Sequence, residues 1–259
     1  MFRTMFDSDV TTFSPMGRLH QIEYAQEAVK QGGATLGLRS DEHVVIAGLL
    51  RQTKKLSGHQ PKLFVIDDHM AVSIAGLTAD ARLLIKYMRT ECLNNKYVFD
   101  SPLQVATLVA DLADKAQSHT QDYSSRPYGV GLLVAGYDKS GPHLFETSPS
   151  GSAYDFRAQA IGARSQSART YLERHYETFA DASLEELITH ALTALRETAG
   201  DTELTAENAS IMIVGKDTPA HELAADDIAA RLAALGGGAA AEDDAANDDD
   251  EGTNENPNA

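Results

Sequence analysis

A single cysteine, Cys92, leaves this chain of 259 residues without an internal disulfide or a multi-cysteine zinc site. Basic residues are also scarce: 22 Lys and Arg stand against 38 Asp and Glu, a formal net charge of −16. A general nucleic-acid binder needs a basic face to neutralise phosphates, and an anionic membrane surface repels a chain of this sign. Apolar stretches such as Val44 to Leu50 are far too short to cross a bilayer. From Met1 to Asp7 there is no apolar segment of the secretory kind, so Asn208-Ala209-Ser210 reads as a chance sequon. These absences predict a soluble protein of a reducing compartment, without nucleic-acid or membrane partners.

Local catalytic motifs are missing as well. In Gly129-Val130-Gly131-Leu132-Leu133-Val134 a valine stands where a dinucleotide loop needs its last glycine, so these glycines read as strand packing. There is no Gly-Lys-Ser/Thr phosphate loop and no His-Glu-x-x-His pair. Ser165 lacks the Gly-x-Ser-x-Gly elbow and reads as a helix N-cap. Asp67 and Asp68, beside His69, read as a solvated turn rather than an acid–base pair. No cofactor or metal is called for.

What is present is an ordinary globular balance, 42% hydrophobic and 23% charged, in a length that suits one or two domains. The charge is uneven. Residues 236–259 carry eight acidic side chains, no Lys or Arg and no large apolar residue, and so hold half the net charge. Such a segment buries too little to offset its ordering entropy and is expected to be disordered. Just before it, Leu223, Ile228, Leu232 and Leu235 predict a short C-terminal helix.

The body alternates in blocks. Leu19, Ile22, Ala25 and Val29 predict a helix over 18–31, stopped by Gly32-Gly33. Strands are predicted at 35–39, 43–50, 62–66 and 70–75. Leu77, Ala81, Leu84, Met88 and Cys92 mark a helix with Thr78 as its N-cap. Ser101-Pro102-Leu103-Gln104 reads as a capping box opening the next, whose stripe runs Val105, Leu108, Leu112 and Ala116. Strands follow at 129–137, 143–147 and 152–156, then helices at 165–176 and 184–198, the latter with a Ser183–Glu186 capping box. A strand at 209–215 closes the domain. Separated blocks of strands and helices argue against a parallel doubly wound sheet. They predict an α+β fold, two antiparallel sheets face to face with helices outside: a four-layer sandwich.

One segment is specific. From Phe6 to Ala25 the chain reads Phe-Asp-x-x-x-Thr-x-Phe-Ser-Pro-x-Gly-Arg-Leu-x-Gln-Ile-Glu-Tyr-Ala. This resembles the N-terminal signature of 20S proteasome alpha subunits. The resemblance continues through Ser73 to Arg82, Arg126 to Leu133 and Ile213 to Asp217, and covers roughly residues 2 to 217. The wording of Ile161 to His175 and of Met88 to Leu93 narrows it to one eukaryotic branch of that family, with an archaeal-type homomeric alpha ring as the alternative. The resemblance implies an αββα sandwich of the N-terminal nucleophile hydrolase type, with a gating segment at 1–17, the proteasome-type domain at 18–235 and the acidic tail at 236–259.

It also implies what the chain lacks. The proteolytic beta subunits of the family use an N-terminal threonine whose free amine is the base. Gly33 falls at that position, Leu49 near the catalytic aspartate and Lys62 near the active-site lysine, so the chain is expected not to be an enzyme. Its implied role is to scaffold the barrel, to gate access of unfolded polypeptide and to dock regulators in ubiquitin-dependent degradation. Its partners would be the other alpha subunits of a seven-membered ring, a beta ring below and regulatory particles above, in cytoplasm and nucleus. The gate cluster falls on Phe6, Asp7, Pro15 and Tyr24. Phe6 stands where tyrosine is usual, which removes one hydrogen bond, about 0.5–1.5 kcal/mol. The pocket for an activator's terminal carboxylate falls on Lys62, Gly32 and Leu77.

Overall fold

A computed structural model describes residues 6–50, 56, 60–200 and 202–243, with side chains through Leu235. Met1 to Met5, the start of the expected gating segment, and 244–259, most of the acidic tail, lie outside the described residues.

The first helix, α1 (His20–Gln31), ends where Gly32 donates its N–H to the Val29 carbonyl. It begins two residues later than predicted, because Ser14 and Arg18 close a turn: Arg18 N donates to Ser14 Oγ at 3.1 Å and Ser14 N to Arg18 O at 2.9 Å. The strands β1 (Thr35–Arg39) and β2 (His43–Leu49) form a hairpin, as do β3 (Leu63–Asp67) and β4 (Met70–Gly76). Two helices follow, α2 (Thr78–Phe99) and α3 (Val105–Gln121). Then come β5 (Val130–Asp138), β6 (Gly141–Thr147), β7 (Ala153–Asp155) and β8 (Ala158–Ile161). The chain finishes with α4 (Ser165–His175), α5 (Leu184–Ala199), β9 (Ala209–Gly215), β10 (Thr218–Glu222) and α6 (Ala225–Asp243).

The strands make two five-stranded sheets, β10-β9-β2-β1-β8 and β3-β4-β5-β6-β7, whose pairings are antiparallel. Successive strand residues point to opposite faces, and here both faces are buried. In β2, Val45 and Ala47 pack against α4 and α5, whereas Val44 and Ile46 meet the other sheet. In β5, Leu132 and Val134 pack against α2 and α3, whereas Leu133 and Ala135 face inward between the sheets. Continuous apolar strands are what a sheet covered on two sides requires. The result is the predicted αββα sandwich.

Several local expectations are corrected. Leu77, not Thr78, is the N-cap residue of α2 and its side chain caps nothing. The Ser101–Gln104 capping box does not form; α3 starts at Val105, whose N–H is taken by the Asp138 carboxylate at 3.1 Å. Ser165 is the first helical residue of α4, after Arg164 with φ 57°. The Ser183–Glu186 box is present as predicted. Two strands carried no sequence signal, β8 and β10. Both are sheet edges; β10 is polar, largely exposed and contains Pro219. Helix α6 continues to Asp243, past the domain end expected at 235.

Candidate functional site

The implied catalytic and docking positions converge where α1 runs into β1. Gly32 is pressed against the end of β4: a Cβ there would fall 2.2 Å from Gly76 N. Its carbonyl accepts from Ala163 N at 2.7 Å. Gly76 has φ 119° and in turn touches the Gly129 carbonyl, which also accepts from Leu77 N at 2.9 Å. Only a residue without a Cβ fits these backbone approaches. Leu77 stands beside them, 48% exposed.

Lys62 reaches the same junction from the chain just before β3. Its ammonium donates to Ala34 O at 2.9 Å and to Gly33 O. A Cβ on residue 33 would lie 3.0 Å from Lys62 Nζ and 3.1 Å from the Leu49 carbonyl. A nucleophile at 33 would therefore have an amine beside it, but glycine supplies no hydroxyl, and the peptide from Gly32 occupies the amide nitrogen. Gly32, Lys62 and Leu77 thus line up along one junction, with the lysine turned onto two backbone carbonyls.

The four positions expected to form a gate cluster are partly brought together. Tyr24 Oη donates to Asp7 Oδ2 at 3.0 Å, and Gln21 Nε2 donates to the Asp7 carbonyl, so α1 holds the incoming chain twice. The Tyr24 ring stacks on His20 with centroids 6.3 Å apart. Phe6 is half-buried next to Asp7, whereas Pro15 sits exposed in the Ser14–Arg18 turn.

Sequence reasoning missed the group that fixes the far wall of the junction. The buried Asp80 accepts from Arg126 Nη1 at 2.6 Å, Arg126 Nη2 at 2.8 Å and Gly129 N at 2.9 Å. The paired Arg126 holds the Asp80 carboxyl below its usual value, helped by the Gly129 N–H and opposed by burial. Asp80 thereby ties the start of α2 to the loop that delivers Gly129. Its signal was the acidic residue in the first helical turn together with the Arg126-Pro127-Tyr128-Gly129 run, two segments whose contact a linear reading does not show. Among the described residues no group of three or more His, Cys, Asp or Glu side chains could hold a metal ion, and no helix is long and apolar enough to cross a membrane.

The four-layer fold of helices outside two antiparallel sheets defines a proteasome-type member of the N-terminal nucleophile class. The family described as proteasome subunit matches residues 29–214, and the N-terminal signature of its A-type members matches 6–28. The alpha type-1 proteasome subunit of Dictyostelium discoideum is 56% identical over 221 residues, 85% of this chain and 89% of that protein. The alpha type-6 proteasome subunit of Saccharomyces cerevisiae is 51% identical over 221 residues, 85% of this chain and 94% of its own. The alpha type-1 subunit of Drosophila melanogaster is 48% identical over 242 residues, 90% of this chain and 85% of its own. The chain belongs to the proteasome subunit family, as an alpha-type member similar to eukaryotic type-1 and type-6 subunits. The branch indicated by Ile161 to His175 is thereby borne out.

Proposed function

We propose that this chain is a non-catalytic subunit of a heteromeric alpha ring in a 20S-type proteasome core. There it scaffolds the barrel, gates access of unfolded polypeptide and docks regulatory particles in ubiquitin-dependent degradation, in cytoplasm and nucleus. The observation that carries the reading is Gly33. It lies two residues before β1, beside the Lys62 ammonium, where the resemblance puts the threonine of the proteolytic members, and the alpha-type helix precedes it. The Tyr24–Asp7 bond supports the gate, since it anchors the segment leading to the N-terminus on a rigid helix. The exposed Leu77, next in sequence to the Gly76 that Gly32 abuts, supports the docking pocket. Similarity to eukaryotic subunits favours a heteromeric ring over the archaeal-type homomeric one.

Native mass spectrometry of the complex captured through a tag on this chain tests the proposal. The expected result is a barrel with two copies of this chain among many distinct ones. Fourteen copies with a single partner type would replace it with a homomeric ring. An isolated chain that cleaves peptides would overturn the non-catalytic assignment.

A further inference from the structure

On the other side of the α1–β1 junction, a crevice between α1, the end of β6 and the start of α4 forms a half-open cavity of about 200 Å³. One wall is apolar, with Val29 from α1 and Ile161 from β8. The other is polar, with Glu146 from β6 and Ser165 and Arg169 from α4. The polar wall is poorly satisfied. The Arg169 guanidinium donates only one long bond among the described residues, from Nη2 to Ser165 Oγ at 3.3 Å, and its buried Nε has no partner among them. A guanidinium carries five N–H donors in a planar fork, and leaving them unmet away from water costs stability. Glu146 accepts from Gln159 Nε2 at 2.7 Å on one oxygen. Burial pushes its carboxyl up, against the Gln159 bond and the more distant Arg169 charge. The Arg169 fork therefore brings under-used donors to the cavity, opposite a surface suited to a short hydrocarbon group.

We propose that this crevice binds a small carboxylate carrying a short branched apolar group, with the carboxylate on the Arg169 fork and the hydrocarbon against Val29 and Ile161. A planar guanidinium matches a carboxylate through paired N–H bonds, which a lysine at the same place could not reproduce. The volume lies below that of a pocket for a drug-sized ligand, which limits the occupant to a few carbons. A free small acid and the last residue of a polypeptide share this chemistry. The site goes beyond the ring-subunit reading and does not depend on it, because its groups lie within one chain.

Isothermal titration of the full chain with 4-methylpentanoate, its neutral amide, inorganic phosphate and N-acetyl-glycyl-leucine tests the site. Saturable binding of one or both carboxylates is expected, with the amide weaker by about tenfold or more. Tighter binding of 4-methylpentanoate assigns a free acid, and tighter binding of the acylated dipeptide assigns a chain end. Arg169→Gln should lose about tenfold or more, and Glu146→Gln should bind at least as well as the parent. Equal binding of acid and amide, equal binding by Arg169→Gln, phosphate binding as tight as the carboxylates, or no saturable binding at all would each overturn the proposal. The acid–amide comparison is made on the unaltered chain, so it decides the matter even where a variant fails to fold.

Discussion

Lys62 and Asp80 hold the two walls of the α1–β1 junction by opposite means. Lys62 donates its ammonium to the carbonyls of Gly33 and Ala34 at the α1–β1 junction. If a regulator's terminal carboxylate docks there, Lys62→Ala lowers regulator-stimulated peptide hydrolysis of assembled particles, by about tenfold where this pocket dominates; an unchanged stimulation removes Lys62 from the docking role. Asp80 is buried and accepts three hydrogen bonds, two of them from a guanidinium. Asp80→Ala should cost about 1.5–3 kcal/mol in denaturant unfolding, since bonds to charged groups exceed neutral ones. The sign with pH follows from its lowered carboxyl. The stabilisation is fully present above the ordinary carboxylate range, falls away as pH drops through the lowered native value, and is absent below it. A parent–variant difference that stays constant from neutral to strongly acidic pH would contradict this.

Helix starts show what was legible in the sequence and what was not. The start of α5 is written locally: Ser183 and Glu186, three residues apart, exchange bonds with each other's backbone. The start of α3 is not, because its cap is Asp138, 33 residues further along at the end of β5. Ser101 and Pro102 offered a plausible box, yet the helix begins only where the distant carboxylate reaches it. Asp138 also accepts from Ser140 N at 2.8 Å and lies 3.3 Å from His143 Nε2, so one side chain joins a helix, a hairpin turn and a strand. Burial works against its charge, but the bonds from Ser140 and Val105 prevail and hold its carboxyl below the usual value. Ser183→Ala should therefore cost about 1 kcal/mol, the worth of a local cap. Asp138→Ala should cost more, about 2–3 kcal/mol, because several donors lose their acceptor at once. Equal losses in parallel unfolding curves would mean that Asp138 acts as an ordinary helix cap. The same division explains the strands. Those buried on both faces announce themselves as apolar runs, while β8 and β10, at sheet edges, are defined by their neighbours' hydrogen bonds rather than by their own side chains.

At the scale of the whole molecule, the layers were readable from block order because each helix stripe needed a sheet to cover, whereas the proposed gate rests on how the segment around Asp7 is tethered. Asp7 is held to the body through Tyr24 Oη and Gln21 Nε2 on α1. Helix α1 is fixed in turn by the Gly32–Gly76 approach and by Ala163 N on the Gly32 carbonyl. The path from the sandwich to Asp7 thus runs through close backbone approaches at glycines and then includes two hydrogen bonds that break far more easily. In an assembled ring, a segment leaving α1 at Asp7 is placed by those two bonds and by whatever it meets beyond. Deleting residues 2–9 removes the segment together with its tether, and should raise basal peptide hydrolysis of assembled particles. Tyr24→Phe removes one bond of about 0.5–1.5 kcal/mol and leaves the segment in place. If, as proposed, the Tyr24–Asp7 contact belongs to a cluster that steadies the open gate, the substitution should change regulator-stimulated hydrolysis more than the basal rate. If the deletion leaves basal hydrolysis where it was, this N-terminus takes no part in closure. If Tyr24→Phe matches the deletion, the hydroxyl bond keeps the gate shut instead of holding it open.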